Sequence, residues 1–232
     1  MALRVFGTDP ETQPKPRQSF ADDVVGRFRS GHTLNRKPVS LNEWRVTTGD
    51  PDVAAAIYDL LGGDQPQTWE SGGEDNLEVF TASKSVEIII EGTKALRQRM
   101  VWWSSTGKLI QSGDGETLDD GTPDPDAALT FQERKKKGQD GLGPVPQIEL
   151  FFRLKELPDV GIFKFQTGSW SLAYDLAAEG IEDRLTDLAA NGVKVAATLT
   201  LEEVSFVAKN GAMAGKTVRY TKPVFEIKGP VI

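Results

Sequence analysis

Apolar and polar residues alternate in short runs along most of the chain, and the alternation lengthens to a helical period in two places. In 41–48, a stretch of β-branched and aromatic residues, Trp44 and Val46 fall on one face, which predicts a strand. Three further strands are predicted at 77–81, 84–91 and 96–104. In the second of these, Val86, Ile88 and Ile90 face one way and Glu87, Ile89 and Glu91 the other. Residues 105–108 (Ser-Thr-Gly-Lys) supply a hairpin turn into 109–111, so this region predicts a β-meander. Later, 147–155 and 161–166 alternate and are joined through Pro158-Asp159. A final pair, 194–208 and 216–227, is linked by 209–215 with Gly211 and Gly215.

The first helical period begins at Asp50, a ready N-cap, with Pro51 at the first helical position. Val53, Ile57, Leu60 and Leu61 make the apolar stripe, and Gly62-Gly63 ends it. The second opens at Ser169. Leu172, Leu176, Ile181, Leu185 and Leu188 recur at helical spacing, Gly180 divides the run into two shorter helices, and Asn191-Gly192 stops it.

Two segments lack either period. Residues 8–19 form a Pro-rich connector after a short strand-like stretch at 3–6. Residues 112–146 hold Asp114, Glu116, Asp119, Asp120, Asp124 and Asp126, then a short basic helical turn ending in Arg134-Lys135-Lys136-Lys137, then a Gly/Pro-rich run. So long a polar stretch reads as a divider that is either functional or mobile, with its acids in a solvated or partner-facing loop. The expected organisation is a β-rich α+β part at 1–111, an acidic and basic insert at 112–146, and an α+β part at 147–232. The two larger parts pack as one compact unit. The fold class is α+β, with antiparallel sheets, a few helices and a long central loop.

Composition narrows the chemistry. The 232 residues are 38% hydrophobic with a formal net charge of −7, which opposes broad contact with nucleic acid or anionic lipid. There are no cysteines, which removes disulfides, thiol nucleophiles and Cys-based metal sites. No leader-like or membrane-spanning apolar run is present, which predicts a cytosolic protein. His32 is the one histidine, expected in an exposed loop, and no Gly-x-Ser-x-Gly elbow exists for it to serve. The run Gly211-Ala-Met-Ala-Gly-Lys-Thr217 is one residue short of a phosphate-binding loop and reads as a hairpin connection. Asp114, Glu116, Asp119 and Asp120 offer oxygen ligands for a divalent cation but lack EF-hand spacing. No enzyme, cofactor or metal site is expected.

Contact chemistry is better represented. Arg27-Phe28-Arg29, with Arg36 and Lys37 nearby, is one cluster of cations with an aromatic, Arg134–Lys137 beside the acidic stretch is another, and the first five are the candidate partner-binding residues. The insert is a second candidate contact. Trp102 and Trp103, adjacent on a strand, point to opposite faces, with one expected in the core and the other at the surface.

Four N-terminal blocks carry a resemblance: 4–10 (Arg-Val-Phe-Gly-Thr-Asp-Pro), 22–31 (Asp-Asp-Val-Val-Gly-Arg-Phe-Arg-Ser-Gly), 45–51 and 73–81. With 161–176 and 199–207, they make the chain similar to the recombination directionality factors of actinophages that carry large serine integrases. The resemblance implies a protein that binds the integrase on attachment-site DNA. It would permit attL × attR excision and disfavour attP × attB integration, without cutting or joining DNA itself, in the bacterial host cytoplasm. Little or no direct specific DNA binding is implied. The alternatives left by the residues are a phage DNA-metabolism accessory that binds single strands and a metal-dependent hydrolase.

Overall fold

A computed structural model describes residues 24–34, 37–70, 73, 75–190, 192–209 and 214–231. The predicted strand at 3–6, the connector at 8–19 and the first of the four blocks lie outside the described residues. The fold is mixed α+β. Its strands are β1 (Val24–Leu34), β2 (Lys37–Thr48), β3 (Gln67–Thr68), β4 (Leu77–Phe80), β5 (Ser85–Ile90), β6 (Leu96–Trp103), β7 (Leu109–Gly113), β8 (Val145–Leu154), β9 (Ile162–Thr167), β10 (Val195–Val207) and β11 (Thr217–Pro230). Its helices are α1 (Pro51–Leu61), α2 (Phe131–Gln139), α3 (Trp170–Ala178) and α4 (Ile181–Ala190).

The helices form where their boundary residues direct. The Asp50 carboxylate accepts from the Asp52 backbone N–H at 2.8 Å, Pro51 follows it, and α1 buries Val53, Ala54 and Ile57. Gly180, at φ 59°, separates α3 from α4, which together bury Leu172, Leu176, Ile181 and Leu185.

The hydrogen-bonded strand path runs β11-β10-β5-β8-β9-β1-β2-β4-β3, with β6 pairing the first half of β8 and β7 pairing β6. All pairings are antiparallel except β1 with β9. The sheet curls around its core, because residues 83 and 84 connect its two flanks. Trp44 N–H donates to Ser83 O at 2.9 Å and Leu201 N–H donates to Lys84 O at 2.8 Å. Thr221 Oγ1 also donates to Asn42 Oδ1 at 2.7 Å, tying β11 to β2.

The expected meander is confined to the β6–β7 hairpin. β4 pairs with β2 and β3, whereas β5 lies between β10 and β8. β5 is hydrogen-bonded along both edges, and it buries Ile89 as well as Val86, Ile88 and Ile90 while Glu87 stays exposed.

Within residues 112–146, Asp114, Glu116, Asp119 and Asp120 are exposed, as expected of a solvated segment, but the segment is not solvated throughout. Asp124 and Asp126 are buried, and both are held by α2. The Asp124 carboxylate accepts from Gln111 Nε2 (3.1 Å), the Asp126 backbone N–H (2.8 Å) and Arg134 Nη1 (3.4 Å). Lys137 Nζ pairs with Asp126 at 2.5 Å. A reciprocal Thr130–Glu133 capping box starts α2, and Phe131 packs edge-on against Trp170 and Tyr174. The basic run of this segment is thus partly spent on its own acids. The remaining acids support turns: Asp114 accepts from the Glu116 and Thr117 N–H groups, Asp120 from Thr122, and Asp119 pairs with Arg99.

Candidate functional site: an arginine-lined cleft

β1 alternates strictly where it crosses the centre of the sheet. Phe28 points inward, 1% exposed, and meets Trp44, Phe152 and Phe163 edge-on with centroids 5.3–5.8 Å away. Arg27 and Arg29 therefore point outward. The neighbouring strands follow the same rule: Trp44 and Val46 are fully buried around Arg45 on β2, and Phe163 and Phe165 flank Lys164 on β9. Strand register then gathers the cations, since Arg29 is opposite Arg45 and Arg27 is beside Lys164. Just past Arg29 the β1–β2 register shifts, a bulge between Arg29 and Gly31.

Four cations on one sheet face repel one another, and three of them have a carboxylate partner. Arg27 Nε meets Asp75 Oδ2 at 2.8 Å, Arg45 Nε donates to Glu78 Oε2 at 2.6 Å, and Lys164 Nζ donates to Glu149 Oε1 at 2.5 Å. Gln67 Nε2 donates to the other oxygen of Glu78 at 3.2 Å. Trp69 lies over the cluster with the Arg45 guanidinium 4.4 Å and the Arg29 guanidinium 5.7 Å from its ring centroid. The indole N–H of Trp69 donates to Asp75 O at 2.6 Å.

Arg29 differs from the other three. Its Nε donates to Thr47 Oγ1 at 2.9 Å, and among the described residues it makes no ion pair. Burial pulls its pKa below the usual arginine value, the nearby charges of Arg45 and Arg27 add to that, and Asp75 opposes them. Arg27, Arg29, Arg45, Lys164, Trp69 and Glu78 line an open cleft of about 850 Å³, to which His32, Val39 and Glu70 also contribute. His32 belongs to β1 rather than to a loop, with its ring 5.6 Å from that of Phe80.

Of the residues singled out from the sequence, the structure brings Arg27 and Arg29 together. Phe28 is corrected to a core residue, with no surface to offer a partner. Arg36 lies outside the described residues, as does the side chain of Lys37. Arg45, Trp69, Glu78 and Lys164 complete the site and were not anticipated. The alternation that made Trp44 and Val46 core residues already placed Arg45 on the opposite face, but nothing local joined β2 to β9. Neither Trp102 nor Trp103 is in the core; Trp103 is 51% exposed.

A second surface lies at the far end of the β10–β11 hairpin. β5 pairs with β10 only as far as Thr200, while β10 and β11 continue together from Leu201–Pro223 to Val207–Thr217. This closes the predicted hairpin and leaves an arm carrying exposed Phe206, Val207 and Tyr220, with the Phe206 and Tyr220 rings 6.4 Å apart.

Among the described residues, no three His, Asp or Glu side chains are grouped to hold a metal ion, and no helix is long and apolar enough to cross a membrane. A mostly antiparallel α+β sheet with a charge-lined cleft on its outer face defines the architecture. A family model described as Gp3-like, recombination directionality factor-like, matches residues 25–224. The chain belongs to that family, which is not a catalytic one. No solved structure matches it.

Proposed function

We propose that this protein is a recombination directionality factor that binds a large serine integrase on attachment-site DNA. It turns the integrase from attP × attB integration to attL × attR excision in the cytoplasm of the bacterial host, and has no catalytic step of its own. Membership of the family across residues 25–224 carries this reading. The net charge of −7 agrees with a protein that reaches the complex through the integrase rather than through DNA.

The mechanism is differential binding. A factor that docks equally well on both integrase arrangements changes nothing, and full reversal of a biased equilibrium needs a preference of about 5.5 kcal/mol. In this reading the cleft and the β10–β11 arm form the docking surface. The parts on either side of the insert act as one body, since β9 lies between β8 and β1.

The test is reconstitution with a cognate large serine integrase. Adding the protein should switch on attL × attR recombination and depress attP × attB recombination. If a cognate, active integrase gives the same product ratio with and without it, the proposal fails.

A further inference from the structure

The cleft leaves one cation unspent. Arg27, Arg45 and Lys164 are each matched to a carboxylate, whereas Arg29 has its Nε on Thr47 and no ion pair among the described residues. Glu70 also lines the cleft, but it is exposed and makes no ion pair among the described residues. A half-buried guanidinium opposite a second arginine, in an open cavity of about 850 Å³, is costly to the free protein. An incoming anion would relieve that cost.

We propose that the cleft receives the carboxylate of an aspartate or glutamate on an acidic segment of a partner protein, with the free edge of Arg29 as its receptor. Guanidinium and carboxylate match as two planar forks, the geometry that makes such pairs strong and directional. Trp69 and Thr47 hold Arg29 in place beforehand, so little side-chain freedom is lost on docking.

Nucleic acid fits less well. A phosphate backbone presents a row of charges and is held by a row of unspent cations, but three of the four here are already neutralised. One face of Trp69 is already occupied by the Arg45 guanidinium at 4.4 Å, which leaves less of the ring for a base to stack on. This inference deepens the proposed function and rests on it only in naming the integrase as the source of the acidic segment.

The experiment uses the whole protein, isotope-labelled, with three probes at matched ionic strength: an oligoglutamate peptide, an oligoglutamine peptide and oligothymidylate. Nε–H of Arg29 and the indole N–H of Trp69 are followed by NMR. Oligoglutamate should move both signals in a saturable way and oligoglutamine should not. Arg29→Gln should weaken oligoglutamate binding at least tenfold, whereas Lys108→Gln, in the β6–β7 turn and outside the cleft lining, should not. If Arg29→Gln does not fold, Arg29→Lys keeps the charge, removes the fork and should still weaken binding severalfold.

Unmoved signals, or equal binding by the Arg29 variants, would overturn the inference. A larger Arg29 response to oligothymidylate than to oligoglutamate would also overturn it, in favour of nucleic acid. The same variant in the recombination assay separates the two readings. If oligoglutamate binding depends on Arg29 and excision does not, the carboxylate site stands and the integrase is not what fills it.

Discussion

Replacing Arg45 with methionine tests whether the floor of the cleft is a desolvated ion pair. The side chains of Arg45 and Glu78 are 5% and 7% exposed, so Arg45→Met leaves a carboxylate that water cannot reach. Gln67 Nε2, at 3.2 Å, is then its one remaining side-chain donor among the described residues. Breaking one partner of a buried pair costs about 3–5 kcal/mol, and loss of the Arg45 contact with Trp69 adds up to about 1 kcal/mol. Against a total stability of about 5–15 kcal/mol, this is a large fraction. At roughly 2–4 °C per kcal/mol for a chain of this size, Tm should fall by at least about 6 °C. Urea unfolding followed by tryptophan fluorescence and far-UV circular dichroism measures the loss. The second arm is the double variant Arg45→Met/Glu78→Leu, which removes both charges and should recover most of the stability. If Arg45→Met costs less than about 1 kcal/mol, or if the double variant is as unstable as the single one, the pair is not desolvated as described.

Three further outcomes are expected. Gly63 has φ 98°, and a Cβ there would run into the Phe80 carbonyl oxygen and lie 2.7 Å from the Thr81 carbonyl carbon. Gly63→Ala should therefore cost at least about 2 kcal/mol in denaturant unfolding, and a cost below about 0.5 kcal/mol would contradict the close approach. Asp124→Ala removes the acceptor shared by Gln111, Asp126 and Arg134. It should cost about 1–3 kcal/mol and raise amide hydrogen exchange across 114–140 before the rest of the sheet; uniform exchange along the chain would refute the clasp. The Glu91 carboxyl is held below the usual glutamate range, first by the hydrogen bond from Lys194 and then, against the opposing effect of burial, by the charges of Lys194 and Arg153. A depressed carboxylate adds stability that is present above its unfolded pKa and is lost as pH falls through the folded one. Glu91→Gln should thus flatten the acid side of the stability curve below about pH 4.5, and an unchanged acid slope would count against the Lys194–Glu91 pair.

Local chemistry was legible wherever one short segment carried the whole signal. The Asp50-Pro51 helix start, the Gly180 break between α3 and α4, and the alternation of 194–208 appear in the structure because each depends on neighbours within a turn or a strand. What could not be read was pairing over distance. β5 looked like the middle of a meander, yet its hydrogen-bonded neighbours are β8 and β10, more than 50 residues away. Asp124 and Asp126 looked solvated because their counter-charges, Arg134 and Lys137, follow 10 and 11 residues after them, a separation that fits no period. Phe28 was ambiguous for a related reason: an aromatic between two arginines suits an interface as well as a strand with one buried face. The burial of Trp44, Phe163 and Phe165 around it decides the matter.

The cleft and the core are two consequences of one alternation. Each outward cation in the cluster is set by inward aromatic or aliphatic neighbours: Arg27 and Arg29 by Phe28, Arg45 by Trp44 and Val46, and Lys164 by Phe163 and Phe165. The spacing of the charges is therefore as rigid as the packing of the rings beneath them. If the protein acts, as proposed, by preferring one arrangement of its partner, such rigidity has a direct use. A mobile patch would adapt to both arrangements and discriminate between them poorly, whereas a fixed array loses its contacts when the partner is displaced by an ångström or so. It follows that a volume change under the cleft should act at a distance. Phe165→Leu, which touches no partner, should loosen the Trp44 contact at 5.3 Å and weaken integrase docking together with stability. Arg29→Gln should weaken docking with little change in stability. If both variants lower docking only in proportion to their loss of stability, the cleft is not the recognition surface.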